Sequence, residues 1–192
     1  MKRIVLFASG SGTNVENIIQ YFSENKQVEI VAVLTNRKDA KVLDRCARLK
    51  ISALYFNRHA FMESNLISDF LNILNLDLIV LAGFLWRIPK RLIDYFPDRI
   101  INIHPALLPK YGGKGMYGMK VHEAVKENSE PETGITIHYV NEHYDEGAII
   151  MQVKTFVDEG DTPEIIAQKV HELEYEHFPR VIEELLYKGD NG

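Results

Sequence analysis

The stretch Ile100-Ile101-Asn102-Ile103-His104-Pro105-Ala106-Leu107-Leu108-Pro109-Lys110 decides how the chain folds and where its chemistry sits. It begins as a short apolar strand. Strand side chains alternate with period two, so Asn102 and His104 project to one side. Pro105 has no N–H to donate and ends the ladder. The polar pair is therefore held at the carboxyl end of a strand, where open α/β sheets bind ligands. An amide can donate to a developing oxyanion and an imidazole can move protons, which together suit acyl transfer. A polar pair merely satisfied at a strand end is the competing view.

Upstream of this stretch, strands and helices alternate. Arg3–Ala8, Val28–Leu34, Ala53–Phe56, Leu78–Ala82 and Arg99–His104 have the apolar runs of buried strands, with Leu78–Ala82 the most apolar and the central one. Between them Val15–Glu24, Asp39–Leu49, His59–Leu74 and Lys90–Tyr95 carry helical spacing. That order predicts an α/β fold with a doubly wound, mostly parallel central sheet. The pattern changes after Pro105. Tyr111–Gly118, with four glycines, predicts a mobile loop that closes over a ligand. Met119–Asn128 follows as a helix. Gly134–Asn141 and Ala148–Val157 alternate and predict a late antiparallel hairpin. Thr162–Tyr187 predicts a long C-terminal helix, with Thr162 as N-cap, Pro163 at the first position, and a kink or division at Pro179.

Composition sets bounds. With 192 residues, 46% of them hydrophobic, the expected organisation is one domain over 1–192 with a substantial core. A net charge of −5 without a long basic run argues against a nucleic-acid partner. The lone Cys46 excludes an intramolecular disulfide and a cysteine-rich metal cluster. The apolar start is too short for a signal-peptide core, and Leu76–Trp86 is too short to span a bilayer. A cytoplasmic protein without a membrane partner is expected.

Ser9-Gly10-Ser11-Gly12-Thr13-Asn14, between the first strand and the first helix, has the form of an anion site, in which backbone N–H groups and the helix dipole face the ligand. It lacks the third glycine of a dinucleotide fingerprint, because Val15 stands there. Leu34-Thr35-Asn36-Arg37 lacks the acidic residue that would grip a ribose. No Gly-Lys-Ser/Thr of a Walker loop occurs. A monophosphate fits best; a plain glycine turn is the alternative. Asp145, at the tip between the late strands, is either a solvated acid or, beside His104, a carboxylate that would favour the protonated imidazole. His138 shares a strand face with Thr136 and Val140. His171, Glu174 and His177 recur at three-residue steps, but no second cluster completes a metal site, and no metal is expected. Phe84 and Trp86 would either stack on a flat ring or pack in the core.

Ser9–Asn14, Leu81-Ala82-Gly83-Phe84, Asn102–Pro109 and Asp145-Glu146-Gly147 together resemble the phosphoribosylglycinamide formyltransferases, the folate-dependent transformylases of purine biosynthesis. The likeness covers essentially the whole chain. It implies a Rossmann-like formyltransferase fold and small-molecule substrates. The formyl group of 10-formyltetrahydrofolate, a cosubstrate, would pass to the amine of glycinamide ribonucleotide. Gly12, Thr13 and Asn14 would hold the phosphate with Lys110 as an auxiliary cation, and Glu174 would orient the amine. The pteridine would lie against Leu85, Trp86, Arg87 and Ile88 and the segment Asn141, Glu142, His143, Tyr144 and Asp145, with Asn102 also facing the folate. Asn102, His104 and Asp145 would be catalytic. The loop Tyr111–Gly118 is longer than in many members. The related hydrolase and the tRNA-directed enzyme carry further domains, for which 192 residues leave no room. The expected state is a monomer or weak homodimer. A formylfolate hydrolase and a non-catalytic phospho-ligand module are the competing functions, with a nicotinamide dehydrogenase more distant.

Overall fold

The computed structural model describes residues 1–188; the last four residues of the expected 1–192 domain lie outside the described residues. The strands are β1 (Lys2–Phe7), β2 (Val28–Thr35), β3 (Ala53–Tyr55), β4 (Leu78–Leu81), β5 (Ile100–His104), β6 (Glu132–Tyr139) and β7 (Ile149–Phe156). The helices are α1 (Thr13–Phe22), α2 (Val42–Leu49), α3 (Leu66–Ile73), α4 (Lys90–Tyr95), α5 (Met119–Glu127) and α6 (Pro163–Tyr187). They build a seven-stranded sheet of order β3-β2-β1-β4-β5-β6-β7, with β4 in the middle. The first five strands pair in parallel, while β5–β6 and β6–β7 are antiparallel. This is the doubly wound, mostly parallel sheet with a late hairpin and long last helix that the residue pattern predicts.

Alternation along β1 explains the two layers. Ile4 and Leu6 face one side, where they join Val15, Ile18 and Phe22 of α1 and Phe178, Val181 and Ile182 of α6. Val5 and Phe7 face the other side, packing with Phe61, Leu71 of α3 and Leu92 of α4. The chain winds outward from β1 through β2 to β3, then returns to β4 on the other side of β1. The crevice at that reversal is where such sheets bind ligands. No helix among the described residues is long and apolar enough to cross a membrane.

Three helical features differ from the sequence pattern, each with a polar contact at the position concerned. The predicted helix His59–Leu74 is divided into a π-helical turn, His59–Glu63, and α3. Ser64 takes an extended conformation (φ −114°, ψ 167°). Its hydroxyl donates to the Ala60 carbonyl at 3.2 Å, the kind of local bond by which serine competes with a helix ladder. The helix expected from Asp39 starts at Val42, because Val42 N–H donates to the Gly10 carbonyl at 3.2 Å and so ties α2 to the glycine loop.

The third difference is at Pro179, where α6 runs as one uninterrupted helix. Proline has no N–H, so the Tyr175 carbonyl one turn earlier loses its helical partner. Asn17 of α1 donates its amide to that carbonyl at 2.9 Å. Replacement of this bond from a neighbouring helix explains how α6 tolerates the proline. Asn17→Ala is expected to lower folding stability by about 1 kcal/mol, the usual net worth of one such bond. Urea unfolding curves at neutral pH would show it as a lower midpoint with an unchanged slope.

Candidate active site

The glycine loop is shaped by two constraints. Gly12 caps α1 in the left-handed region (φ 74°), and no side chain caps the helix, which leaves its first N–H groups available to a ligand. A β-carbon at Gly12 would stand 2.4 Å from the Val42 side chain, so only glycine fits. Ser9 braces the neighbouring loop: its hydroxyl accepts from Leu85 N–H at 2.9 Å, and its own N–H donates to the Gly83 carbonyl.

The segment after β5 is fixed by Thr136 of β6. Its hydroxyl donates to the Ala106 carbonyl at 2.7 Å and accepts from Leu108 N–H at 3.0 Å and from the Gln152 amide at 2.9 Å. On the same sheet face, Asn102 stands opposite His138 and His104 opposite Thr136 in the antiparallel register. Asp145 comes in from the turn between β6 and β7. That turn lies so close to β6 that a β-carbon at Gly147 would sit 1.7 Å from the Tyr139 carbonyl oxygen. The absent side chain lets the turn fold over His138 and deliver its carboxylate, Asp145 itself holding a positive φ of 56°.

The polar groups converge. Asp145 Oδ2 lies 3.6 Å from His104 Nδ1 and accepts from Gly113 N–H at 2.8 Å. Asp145 Oδ1 lies 3.7 Å from His138 Nε2, which in turn faces the Asn102 amide nitrogen at 3.1 Å. His104 Nε2 donates to the Tyr111 carbonyl at 2.7 Å. His104 is 4% exposed, so its contact with Asp145 is shielded from solvent.

A second cluster sits beside the glycine loop. Glu174 of α6, also 4% exposed, receives the Asn14 amide at 2.9 Å and His171 Nδ1 at 2.8 Å on one oxygen. The bond to Glu174 raises the His171 pKa. His122 of α5 is buried close by, and burial pushes its pKa from the ordinary 6.5 to about 4. One cavity of about 690 Å³ connects the two clusters. It is bounded by the glycine loop, Ala82–Leu85, Asn102–Pro105, the Gly113–Gly118 segment, and Tyr144, Asp145, His171 and Glu174.

Of the site residues drawn from sequence, the structure gathers Gly12, Thr13, Asn14, Leu85, Asn102, His104, Tyr144, Asp145 and Glu174 around that cavity. Lys110 is not on its wall; its ammonium pairs with Glu130 at 2.9 Å. Trp86 is packed with Phe56, Phe61 and Phe84, and Ile88 is buried in the same layer. Asn141 bonds within its own turn, donating to Glu146, and Glu142 pairs with Lys90 at 3.2 Å. Arg87 and His143 do not line the cavity either. The loop Tyr111–Gly118 has neither strand nor helix and forms one wall of the cavity. His122 was not singled out by sequence, because one histidine on a short helix carries no signal until the helix is docked. Among the described residues no group of three or more His, Cys, Asp or Glu side chains could hold a metal ion.

Residues 2–182 match the family described as formyl transferase. The chain belongs to the formyl transferase family. A phosphoribosylglycinamide formyltransferase of Bacillus subtilis is 36% identical over 199 residues, covering 100% of this chain and 98% of that protein. A chloroplastic phosphoribosylglycinamide formyltransferase of Arabidopsis thaliana is 39% identical across 94% of this chain. The match spans 64% of the plant protein's length. The crystal structure of glycinamide ribonucleotide transformylase 1 from Symbiobacterium toebii superposes with a TM-score of 0.88 at 31% identity, covering 98% of this chain and 89% of that one. In this formyl transferase the chemistry-bearing side chains come from β5, from the β6–β7 turn and from α6, three elements that parallel winding and the hairpin bring to one end of the sheet.

The buried histidines give the enzyme an acid-sensitive fold. His122 and His138 are both shifted down, chiefly by burial, so they stay neutral in the fold where the unfolded chain would protonate. As pH falls from 6.5 towards 4, the unfolded state binds the extra proton, and stability drops by up to about 1.4 kcal/mol per pH unit for His122. The His171–Glu174 pair acts the other way: its contribution is complete below the ordinary histidine value and fades as pH rises through the raised one. Urea unfolding between pH 7.5 and 4.5 is expected to show the acid loss, with a shallower fall in His122→Gln.

Proposed function

We propose that this site transfers the formyl group of 10-formyltetrahydrofolate to the primary amine of N1-(5-phospho-D-ribosyl)glycinamide, giving the N-formyl product and tetrahydrofolate in de novo purine biosynthesis. The observation that carries this reading is Asp145 Oδ2 at 3.6 Å from His104 Nδ1, with Asn102 beside them and the glycine loop on the same cavity. The amine itself is the nucleophile, so an activated serine or cysteine is not required. Cys46 fits that picture: it is fully buried, and burial pushes its thiol up to about 11.

The roles follow from position. Backbone N–H groups of Gly12, Thr13 and Asn14 hold the phosphate, with Lys110 left to its pair with Glu130. Glu174, fixed from Asn14 and His171, orients the ribose and glycinamide arm. The folate enters along Leu85 and the Asn141–Asp145 turn, while Trp86, Arg87 and Ile88 support that wall. A C–N bond forms from the amine to the formyl carbon, and the bond from that carbon to the folate nitrogen breaks. Asn102 donates to the oxygen that gains negative charge, and His104 adds a second donor once its Nε2–H exchanges the Tyr111 carbonyl for that oxygen. Asp145, 3.6 Å from His104 Nδ1, helps pass the amine's proton to the departing nitrogen. Residues 1–192 act as one catalytic domain, a monomer or weak homodimer, in the cytoplasm.

Purified protein given 10-formyltetrahydrofolate and the ribonucleotide is expected to make the formylated product. Formate release without the ribonucleotide would instead mark a hydrolase, and neither product from folded protein would overturn both enzymatic readings. Asn102→Ala should lower kcat by about 10²–10³, as loss of an oxyanion donor does. Asp145→Asn should nearly abolish turnover while ribonucleotide affinity, measured calorimetrically, stays within about threefold.

A further inference from the structure

His138 has no part in the proposed formyl transfer, although its ring lies inside the polar network. It is 2% exposed on β6, directly opposite Asn102 of β5 in the antiparallel register, so the two side chains share one face. Its Nδ1 lies 2.9 Å from the Tyr139 carbonyl oxygen, its own next residue. A carbonyl can only accept, so Nδ1 must carry a proton. In the neutral ring Nε2 is then a bare lone pair. That lone pair lies 3.1 Å from the side-chain nitrogen of Asn102.

This settles which way the Asn102 carboxamide points. With its NH₂ towards Nε2, one N–H is bound to the ring and the second is left for the cavity that Asn102 lines. Turned over, the carboxamide would set its oxygen against the Nε2 lone pair and present the wrong polarity there. A neighbouring ring nitrogen that can only accept is therefore a device for keeping a donor donating. The surrounding groups favour the neutral ring on balance. Burial disfavours a charge and His104 repels one, against the pull of the Tyr139 carbonyl and of Asp145. Asp145 Oδ1, at 3.7 Å from Nε2, is too far for a hydrogen bond that would compete with Asn102.

We propose that His138 is a positioning residue: held as the Nδ1–H tautomer by the Tyr139 carbonyl, it locks the Asn102 carboxamide with an N–H directed to the reacting oxygen. The inference rests on the formyl-transfer reading for its consequence, but not for its geometry. His138 acts through Asn102 and need touch neither substrate, so its loss should appear in the chemical step and leave binding alone.

The decisive experiment joins a spectroscopic readout to kinetics. Long-range ¹⁵N–¹H correlation on histidine-labelled, ligand-free protein at pH 7 is expected to show His138 neutral and protonated at Nδ1. An Nε2–H ring or a cation would overturn the proposal, whatever reaction the protein catalyses. His138→Phe keeps a ring but removes the acceptor, and should lower kcat roughly 10- to 100-fold, the scale of a misplaced reacting group, with both KM values little changed. His138→Gln carries its amide as far from the backbone as Nε2 and can accept from Asn102, so it should recover most of that loss. In an Asn102→Ala background, His138→Phe should cost almost nothing more. Unchanged kcat in His138→Phe, equal defects in the Phe and Gln variants, or full additivity with Asn102→Ala would each refute it. If wild-type protein transfers no formyl group, the functional reading fails while the tautomer measurement still decides the anchor.

Discussion

The approach of the β6–β7 turn to the Tyr139 backbone is the constraint on which the rest of the site depends. A carboxylate on a nine-residue turn has no inherent reason to lie beside an imidazole on β5. It does so because Gly147 carries no side chain where one would collide with the Tyr139 carbonyl, and because Asp145 accepts a left-handed backbone conformation. Once there, it meets His104 and His138 at 3.6 and 3.7 Å and receives the Gly113 N–H. A carboxylate and imidazoles sealed from water interact more strongly than the same groups on the surface. The close backbone approach thus converts a common loop aspartate into a group that can govern proton transfer.

A second device sets the far end of the cavity. Asn14 and Asn17 lie three residues apart on α1, and both reach α6. Asn14 holds the Glu174 carboxylate, and Asn17 holds the Tyr175 carbonyl that Pro179 leaves without a helical partner. The helix that carries Glu174 is therefore fastened to the helix that follows the glycine loop. Glycine loop and buried carboxylate keep a fixed spacing, as a site must if it is to align a substrate anchored at one end and reacting at the other. Arg45 adds to this frame by donating to the Ser11 carbonyl at 2.7 Å, which steadies the loop from α2.

The same physics explains which residues could be read early. Gly12 announces itself because Ser9-Gly10-Ser11-Gly12-Thr13-Asn14 stands between a strand and a helix, and the Asn102-x-His104-Pro105 pattern because strand alternation and proline act locally. Trp86 could not be resolved from sequence: an aromatic after a central strand suits a ring-stacking wall or a core equally, and only Phe56, Phe61 and Phe84 around it decide for packing. Lys110 followed the motif, but its charge had a nearer partner in Glu130, twenty residues away in sequence. The undivided α6 was hidden for a similar reason, since the bond that offsets Pro179 comes from another helix.

By itself the sequence determined the order of strands and helices, the parallel winding, the glycine loop ahead of the first helix, the Asn102–His104 pair and the family, because those signals are periodicity, backbone permission and contiguous motif. Tertiary structure alone decided that Asp145 reaches His104, that His138 faces Asn102, that Glu174 is held by Asn14 and that His122 is buried beside them. Those pairings depend on strand register and helix docking between segments 30 to 160 residues apart. Such distances are closed by packing and leave no local trace in the order of the residues.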